Sequence, residues 1–211
     1  KLGLTITGTD PLVISGNYSK YDSLKIAGPM IGTDIGVIRF IGGRDVDNCE
    51  PVYAGNLRYL DLYDAHIKKG GEEYNQDGDN DYITEDNCVD TYMFWELDKL
   101  ETLILPKSAT KIKDDAFNNC DNLQRLVIGD NTTSIGEDVT HDSPKLREII
   151  MLCNEAPATD DDAWSKAPHI GIFYVPNSYR SHISGSHVYY TRCDSISSPF
   201  KDDAIIHALA E

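Results

Sequence analysis

The densest set of groups able to do chemistry lies between Lys68 and Phe94. Here Glu72, Glu73, Asp77, Asp79, Asp81, Glu85, Asp86 and Asp90 stand against two lysines, so the segment holds a net charge of -6 out of -16 for the chain. Within it Asn75, Asp77, Asp79 and Asp81 place oxygen donors at every second residue, a spacing that lets side chains converge on a hard cation such as Ca2+. A calcium loop of the helix-loop-helix type also demands Gly at its sixth position and Glu at its twelfth. Counted from Asn75 those places hold Asn80 and Asp86, and counted from Asp77 they hold Tyr82 and Cys88. Neither register fits, so two readings stand: a calcium site at Asp77, Asp79 and Asp81, or a solvated acidic loop.

No other motif sets up catalysis. His141-Asp142-Ser143 has the residue types of a hydrolytic triad, but neighbours in a turn do not face one another, and there is no G-x-S-x-G elbow. His182 and His187 are five apart, which suits neither a helix face nor alternate strand positions, and no H-E-x-x-H occurs. Gly28-Pro29-Met30-Ile31-Gly32 has the wrong spacing for a phosphate or dinucleotide loop. Asp160-Asp161-Asp162 reads as a turn entering a short helix, where acids suit the N-terminus. Cys49, Cys88, Cys120, Cys153 and Cys193 form no C-x-x-C pair and are odd in number, so they read as buried or half-buried free thiols. The expectation is a non-enzyme with no cofactor beyond the Ca2+ of the first reading.

The charge balance narrows the partners. With 35 acidic residues against 19 basic ones, the chain lacks the basic surface that binds nucleic acid or an anionic membrane. Hydrophobic residues make up 40% and charged ones 26%, enough for a real core. No apolar run approaches the roughly 18 residues that cross a bilayer, and the first residues lack the apolar stretch of a signal peptide, as in a mature or trimmed product.

The elements that must position these residues come from a repeat. Leu100 to Pro106, Leu123 to Gly129, Leu146 to Met151 and Ile170 to Pro176 begin 23, 23 and 24 residues apart, each with apolar residues at offsets 0, 3 and 5. This is the L-x-x-L-x-L core of a leucine-rich repeat, whose offsets 3 and 5 lie on one face of a strand. Ile112 and Ile135 supply a second apolar position, and Ala116-Phe117, Val139 and Ala163-Trp164 close the back of each unit. Upstream, Leu57 to Leu62 repeats the core with Ile67 behind it, and its 43-residue distance to Leu100 is one repeat plus an insertion of about 20 residues. Tyr21 to Ile26 fits once more. Between the two, Thr33 to Gly43 reads as a helix capped by Thr33 or Asp34, with Ile35, Ile38 and Ile41 on one face and Gly42-Gly43 as its stop.

The fold class is therefore α/β: a leucine-rich repeat solenoid with a parallel β-sheet on one face and short helices and turns on the other. Residues 1–20 form an N-terminal cap strand or loop, 21–176 the solenoid with its inserted acidic loop at 68–94, and 177–211 a C-terminal cap and tail in which the repeat is lost from Ser178 on.

The run Leu60-Asp61-Leu62 to Ile67, the Gly70-Gly71 step, the insertion ending in Tyr92-Met93-Phe94, Leu105 to Ile112 and Ala116 to Cys120 together resemble the BspA-like leucine-rich repeat proteins. The opening Leu24-Lys25-Ile26-Ala27-Gly28-Pro29 is similar to their N-terminal unit. Two residues depart from the pattern: Cys88 stands where Ile or Val is expected, and Trp164 replaces a Phe. The resemblance implies a surface-exposed or secreted protein of anaerobic gut or oral bacteria, with some members resembling adhesins for host matrix proteins. It further implies a protein or glycan ligand and, in a lipoprotein, a lipid anchor upstream of this chain.

On the strand face away from the core, offsets 2 and 4 place Tyr59 and then an apolar row, Ile104, Val127, Ile150 and Tyr174. That row is either a binding stripe or a surface covered by the tail or a partner subunit. The functional expectation is adhesion or protein-protein interaction through this face, with a calcium-assisted glycan-binding module as the alternative.

Overall fold

The computed structural model describes residues 3–7, 21–44, 55–77, 80–153, 157–165, 172–175 and 190–192. The chain opens with strands β1 (Gly3–Thr7) and β2 (Ser23–Met30), followed by helix α1 (Gly32–Gly42). Then come β3 (Tyr59–Asp61), β4 (Ala65–Ile67), β5 (Gly70–Asp77), β6 (Asn80–Thr84) and β7 (Cys88–Val89). The regular units follow as β8 (Thr102–Ile104), β9 (Lys111–Ile112), β10 (Arg125–Ile128), β11 (Ser134–Ile135), β12 (Glu148–Met151) and β13 (Ala158–Thr159). The last strands are β14 (Ile172–Val175) and β15 (Tyr190–Arg192).

In the regular units β8, β10 and β12, residue i lies beside residue i+23 of the next. The main sheet runs β1-β2-β3-β8-β10-β12-β14-β15, all parallel, with β4 added to the far end of β2. Its register joins Leu24, Leu60, Leu103, Leu126 and Ile149 in one buried row. The strand alternation adds a second core row of Leu62, Leu105, Ile128 and Met151, all buried. Each such side chain is worth about 1.5–3 kcal/mol of burial. A second, narrower parallel sheet, β13-β11-β9-β7, closes the back and turns Val89, Ile112 and Ile135 inward. This register corrects one expectation. Val89, not Cys88, occupies the apolar Ile112 position, and Cys88 pairs with Lys111.

Turns between the two sheets stack with the same period. Tyr92, Asp115 and Asp138 are left-handed, with φ of 56°, 57° and 49°, and so are Glu96, Asn119 and Asp142, four residues on. Their backbone N–H groups reach the next unit, as in Asp115 N to Glu137 O (3.2 Å), Phe117 N to Val139 O (2.9 Å) and Asn119 N to His141 O (2.9 Å). Inside the turn Phe94 and Phe117 stack at 6.0 Å between centroids, and Thr140 takes the next place in that file. Hydroxyls run between coils too: Thr133 Oγ1 donates to Thr110 O at 3.0 Å and Thr132 Oγ1 to Ala109 O at 3.2 Å.

Helix α1 keeps the expected span, but its cap differs. Ile31 is the N-cap, and Asp34, in the first turn, reaches back to accept from the Ile31 N–H at 2.8 Å. Gly43 ends the helix at φ 106°, a conformation open to glycine without strain. The inserted segment is also more ordered than a solvated loop. β5 and β6 form an antiparallel hairpin packed on α1, burying Tyr74, Asn75 and Thr84. The fit is close, since a Cβ on Gly32 would overlap the carbonyl oxygen of Glu72. In the C-terminal stretch, where no repeat is legible, β15 still pairs in parallel with β14.

Arg39 joins these parts. Fully buried on α1, its guanidinium donates to the carbonyls of Tyr92 (3.0 Å) and Trp95 (3.1 Å) and to Asn75 Oδ1 of the hairpin (3.0 Å). Arg39→Met removes the guanidinium donors from Tyr92, Trp95 and Asn75 at once and is expected to lower stability by about 3 kcal/mol or more. A urea midpoint showing a loss under about 1 kcal/mol would contradict that role. At Asn119 a β-branched residue is strained at φ 57°, so Asn119→Val should cost about 1–2 kcal/mol while Asn119→Gly stays close to wild type in the same titration.

Candidate functional site

The face of the main sheet opposite the core has two rows set by the same register. One runs Ser23, Tyr59, Thr102, Arg125 and Glu148; the other runs Lys25, Asp61, Ile104, Val127 and Ile150. Tyr174 stands beside Ile150 in the register, and its side chain lies outside the described residues. The predicted row is thus brought together, but Ile104, Val127 and Ile150 are only 0–2% exposed. They form a small second apolar cluster against which Tyr59, Tyr63 and Leu152 pack. The row is not an open stripe. What reaches the surface is its border.

That border is polar and ionic. Arg125 Nε and Glu148 Oε2 form a pair at 2.6 Å along one row, and both are half-buried. At the other side, Lys25 pairs with the fully buried Asp61 at 3.2 Å, and Asp61 Oδ1 accepts from the Tyr63 N–H at 3.0 Å. The Tyr63 hydroxyl donates to Asp130 at 3.1 Å, while Lys107 reaches Asp64 at 3.1 Å and lies 5.2 Å from the Tyr63 ring centroid. Burial, reinforced by the charge of Asp61, pushes the Tyr59 phenol well above its ordinary value. The sequence identified Tyr59 in this border but not Tyr63, whose place after β3 only the stacking of loops reveals.

Other expectations resolve as follows. Ser143 Oγ is buried, accepts from Cys120 N at 3.3 Å and donates to Phe117 O at 3.2 Å, so the His-Asp-Ser run is turn structure. Asp81 accepts from Gln76 Nε2 at 3.1 Å across the hairpin; Asp79 and the side chain of Asp77 lie outside the described residues. Cys88, Cys120 and Cys153 are free and buried, and Cys49 and Cys193 lie outside the described residues.

A family model for the BspA type leucine-rich repeat region matches residues 87–205 in six copies. The chain belongs to that family. The BspA-type match begins at the turn before β7, where the coil resumes after the hairpin, and runs past Ser178, where the repeat pattern fades from view in the sequence. No curated protein matches the chain at a significant level. BspA-type leucine-rich repeats generally mediate protein-protein interaction, which directs attention to the sheet face and its border. No helix among the described residues is long and apolar enough to cross a membrane.

The three thiols of this repeat region are shielded. Burial pushes Cys88 and Cys120 up to about 12 and Cys153 up to about 11, from an ordinary value of 9.0. Iodoacetamide at pH 8 should leave these positions unmodified in the folded protein and label them in urea, as read by peptide mass mapping. Because the folded pKa lies above the unfolded one, their contribution to stability is complete below pH 9 and is lost as pH rises toward about 12.

Proposed function

We propose that this chain is a non-enzymatic, surface-displayed or secreted solenoid that recognises a protein partner through the border of its sheet face. The observation that carries this reading is the pair of in-register rows, an apolar cluster flanked by a tyrosine and charged rungs. Ile104, Val127 and Ile150 make the face stiff from beneath, while Tyr59, Tyr63, Thr102, Arg125 and Glu148 present the contact. Tyrosine and arginine suit that task because they offer large area with polar ends and few torsions to freeze. An adhesive role on a cell surface, toward matrix proteins or neighbouring cells, agrees with the family and with a strongly acidic chain whose partners would be basic.

The test is a binding assay of the purified chain against immobilised matrix proteins. Tyr63→Ala and Arg125→Glu should each weaken binding about tenfold or more, as truncation of an anchor residue does. Lys111→Ala, exposed on the opposite sheet, should leave it unchanged. Equal binding by all three variants would remove the face from consideration. Protease treatment of intact cells checks display independently: loss of the chain from the cell fraction is expected, and full protection contradicts a surface location.

A further inference from the structure

We propose that Asp115, Asp138 and His141 form a binding site for a divalent first-row transition metal between two successive coils. One ligand atom from each lies within 4.8 Å of the others. Donors bound at about 2.0–2.2 Å from such an ion sit roughly 3–4 Å apart, so small rotations of half-buried side chains bring the three onto one centre. The set follows from the repeat. Asp115 and Asp138 occupy the same left-handed position in neighbouring turns, so their backbones are locked and their carboxylates adjoin. His141 follows three residues later, its backbone N–H bonded to Asp138 O at 3.0 Å, and its imidazole Nε2 lies 3.5 Å from Asp142 Oδ2, a pair that a bound metal would replace or share.

Independent features of the surroundings point to a cation. Asn118 Nδ2 donates to Asp115 Oδ1 at 2.8 Å and Ser165 Oγ donates to Asp138 Oδ1, the kind of outer contacts that orient metal-binding carboxylates. The Oδ1 of Asn118, on the same amide, is buried and has no hydrogen-bond partner among the described residues. Among the described residues no lysine or arginine forms an ion pair with Asp115 or Asp138. The contrast is the cluster of Glu85, Cys88 and Asp90, which also has converging ligand atoms, but there Lys113 already supplies the cation, at 3.0 Å from Glu85 and 2.9 Å from Asp90.

The next residue file is acidic as well. The Glu137 N–H donates to Asp114 Oδ1 at 3.0 Å, so acidic residues of successive coils stack along this edge too. The donor set selects among ions. An imidazole nitrogen with two carboxylates suits Zn2+, Mn2+, Co2+ or Ni2+, whereas Ca2+ and Mg2+ take oxygen ligands.

The experiment titrates chelator-stripped protein with ZnCl2 and MnCl2 by calorimetry and by thermal melting, with CaCl2 and MgCl2 in parallel. Wild type should bind one more equivalent of Zn2+ than His141→Asn, and at saturation its Tm should rise by a few degrees that the variant loses. Asp115→Asn, which tolerates the left-handed backbone, should weaken the site at least tenfold and serves if His141→Asn folds poorly. Mn2+ should broaden the His141 ring resonances before those of other histidines. Equal Zn2+ stoichiometry and equal Tm shifts in all three proteins would overturn the site. So would a shift produced as well by Ca2+ or Mg2+, which would reduce it to diffuse attraction along an acidic edge.

Discussion

The constraint on which the structure depends is the parallel register that sets residue i of one coil beside residue i+23 of the next. Once the strands β8, β10 and β12 pair in this way, every other position is compelled to stack with its own counterpart. Leucines form rows in the core, threonine hydroxyls reach the carbonyl one coil away, and left-handed residues repeat at both corners of the turn. The same rule puts like charges together, which a helix or an antiparallel sheet can avoid by staggering. Asp114 beside Glu137, and Asp115 beside Asp138, are its electrostatic consequence; the pair Arg125 and Glu148 shows the rung satisfied by opposite charges.

The irregular N-terminal part is joined to this lattice through Arg39. The turn at 92–95, next to the insertion, presents the carbonyls of Tyr92 and Trp95 to the helix, while Phe94 O accepts from Cys120 Sγ of the next coil. Arg39 supplies donors there and holds Asn75 of the hairpin with the same group. Hairpin, helix and first regular turn therefore meet at one buried guanidinium, with Tyr74 donating to Thr91 O at 2.7 Å beside it.

Much of this was legible in the sequence where chemistry and periodicity coincide. Leu103, Leu126 and Ile149 announce the sheet because only apolar residues satisfy an inward strand position, and the span of α1 follows from Ile35, Ile38 and Ile41. Burial of Arg39 was not legible, since it depends on carbonyls more than 50 residues away. The hairpin left a signal that its acidity hid: Gly78-Asp79, between strands holding Tyr74 and Tyr82, is a Gly-X dipeptide of the kind that joins hairpin strands. His141 lies 3.5 Å from its sequence neighbour Asp142, but its approach to Asp115 in the preceding coil follows from the stacking of turns and has no signature in the local run. Whether Ile104, Val127 and Ile150 are open or covered was not legible, because alternation reports which face a residue occupies and says nothing about what packs on that face.

The hairpin also bears on how the chain finds its fold. Successive regular strands meet after closing 23 residues, but β3 meets β8 only after 43, from Tyr59 to Thr102. Closure entropy grows with the logarithm of loop length, so the longer step costs only about 0.6 kcal/mol more. A protein whose contacts recur at one short separation can thus accept a large detour at a single point almost without penalty, provided the detour folds on itself and hands the chain back in register. Such architectures can gain new surface at any one coil while the kinetics of assembling the others stay unchanged.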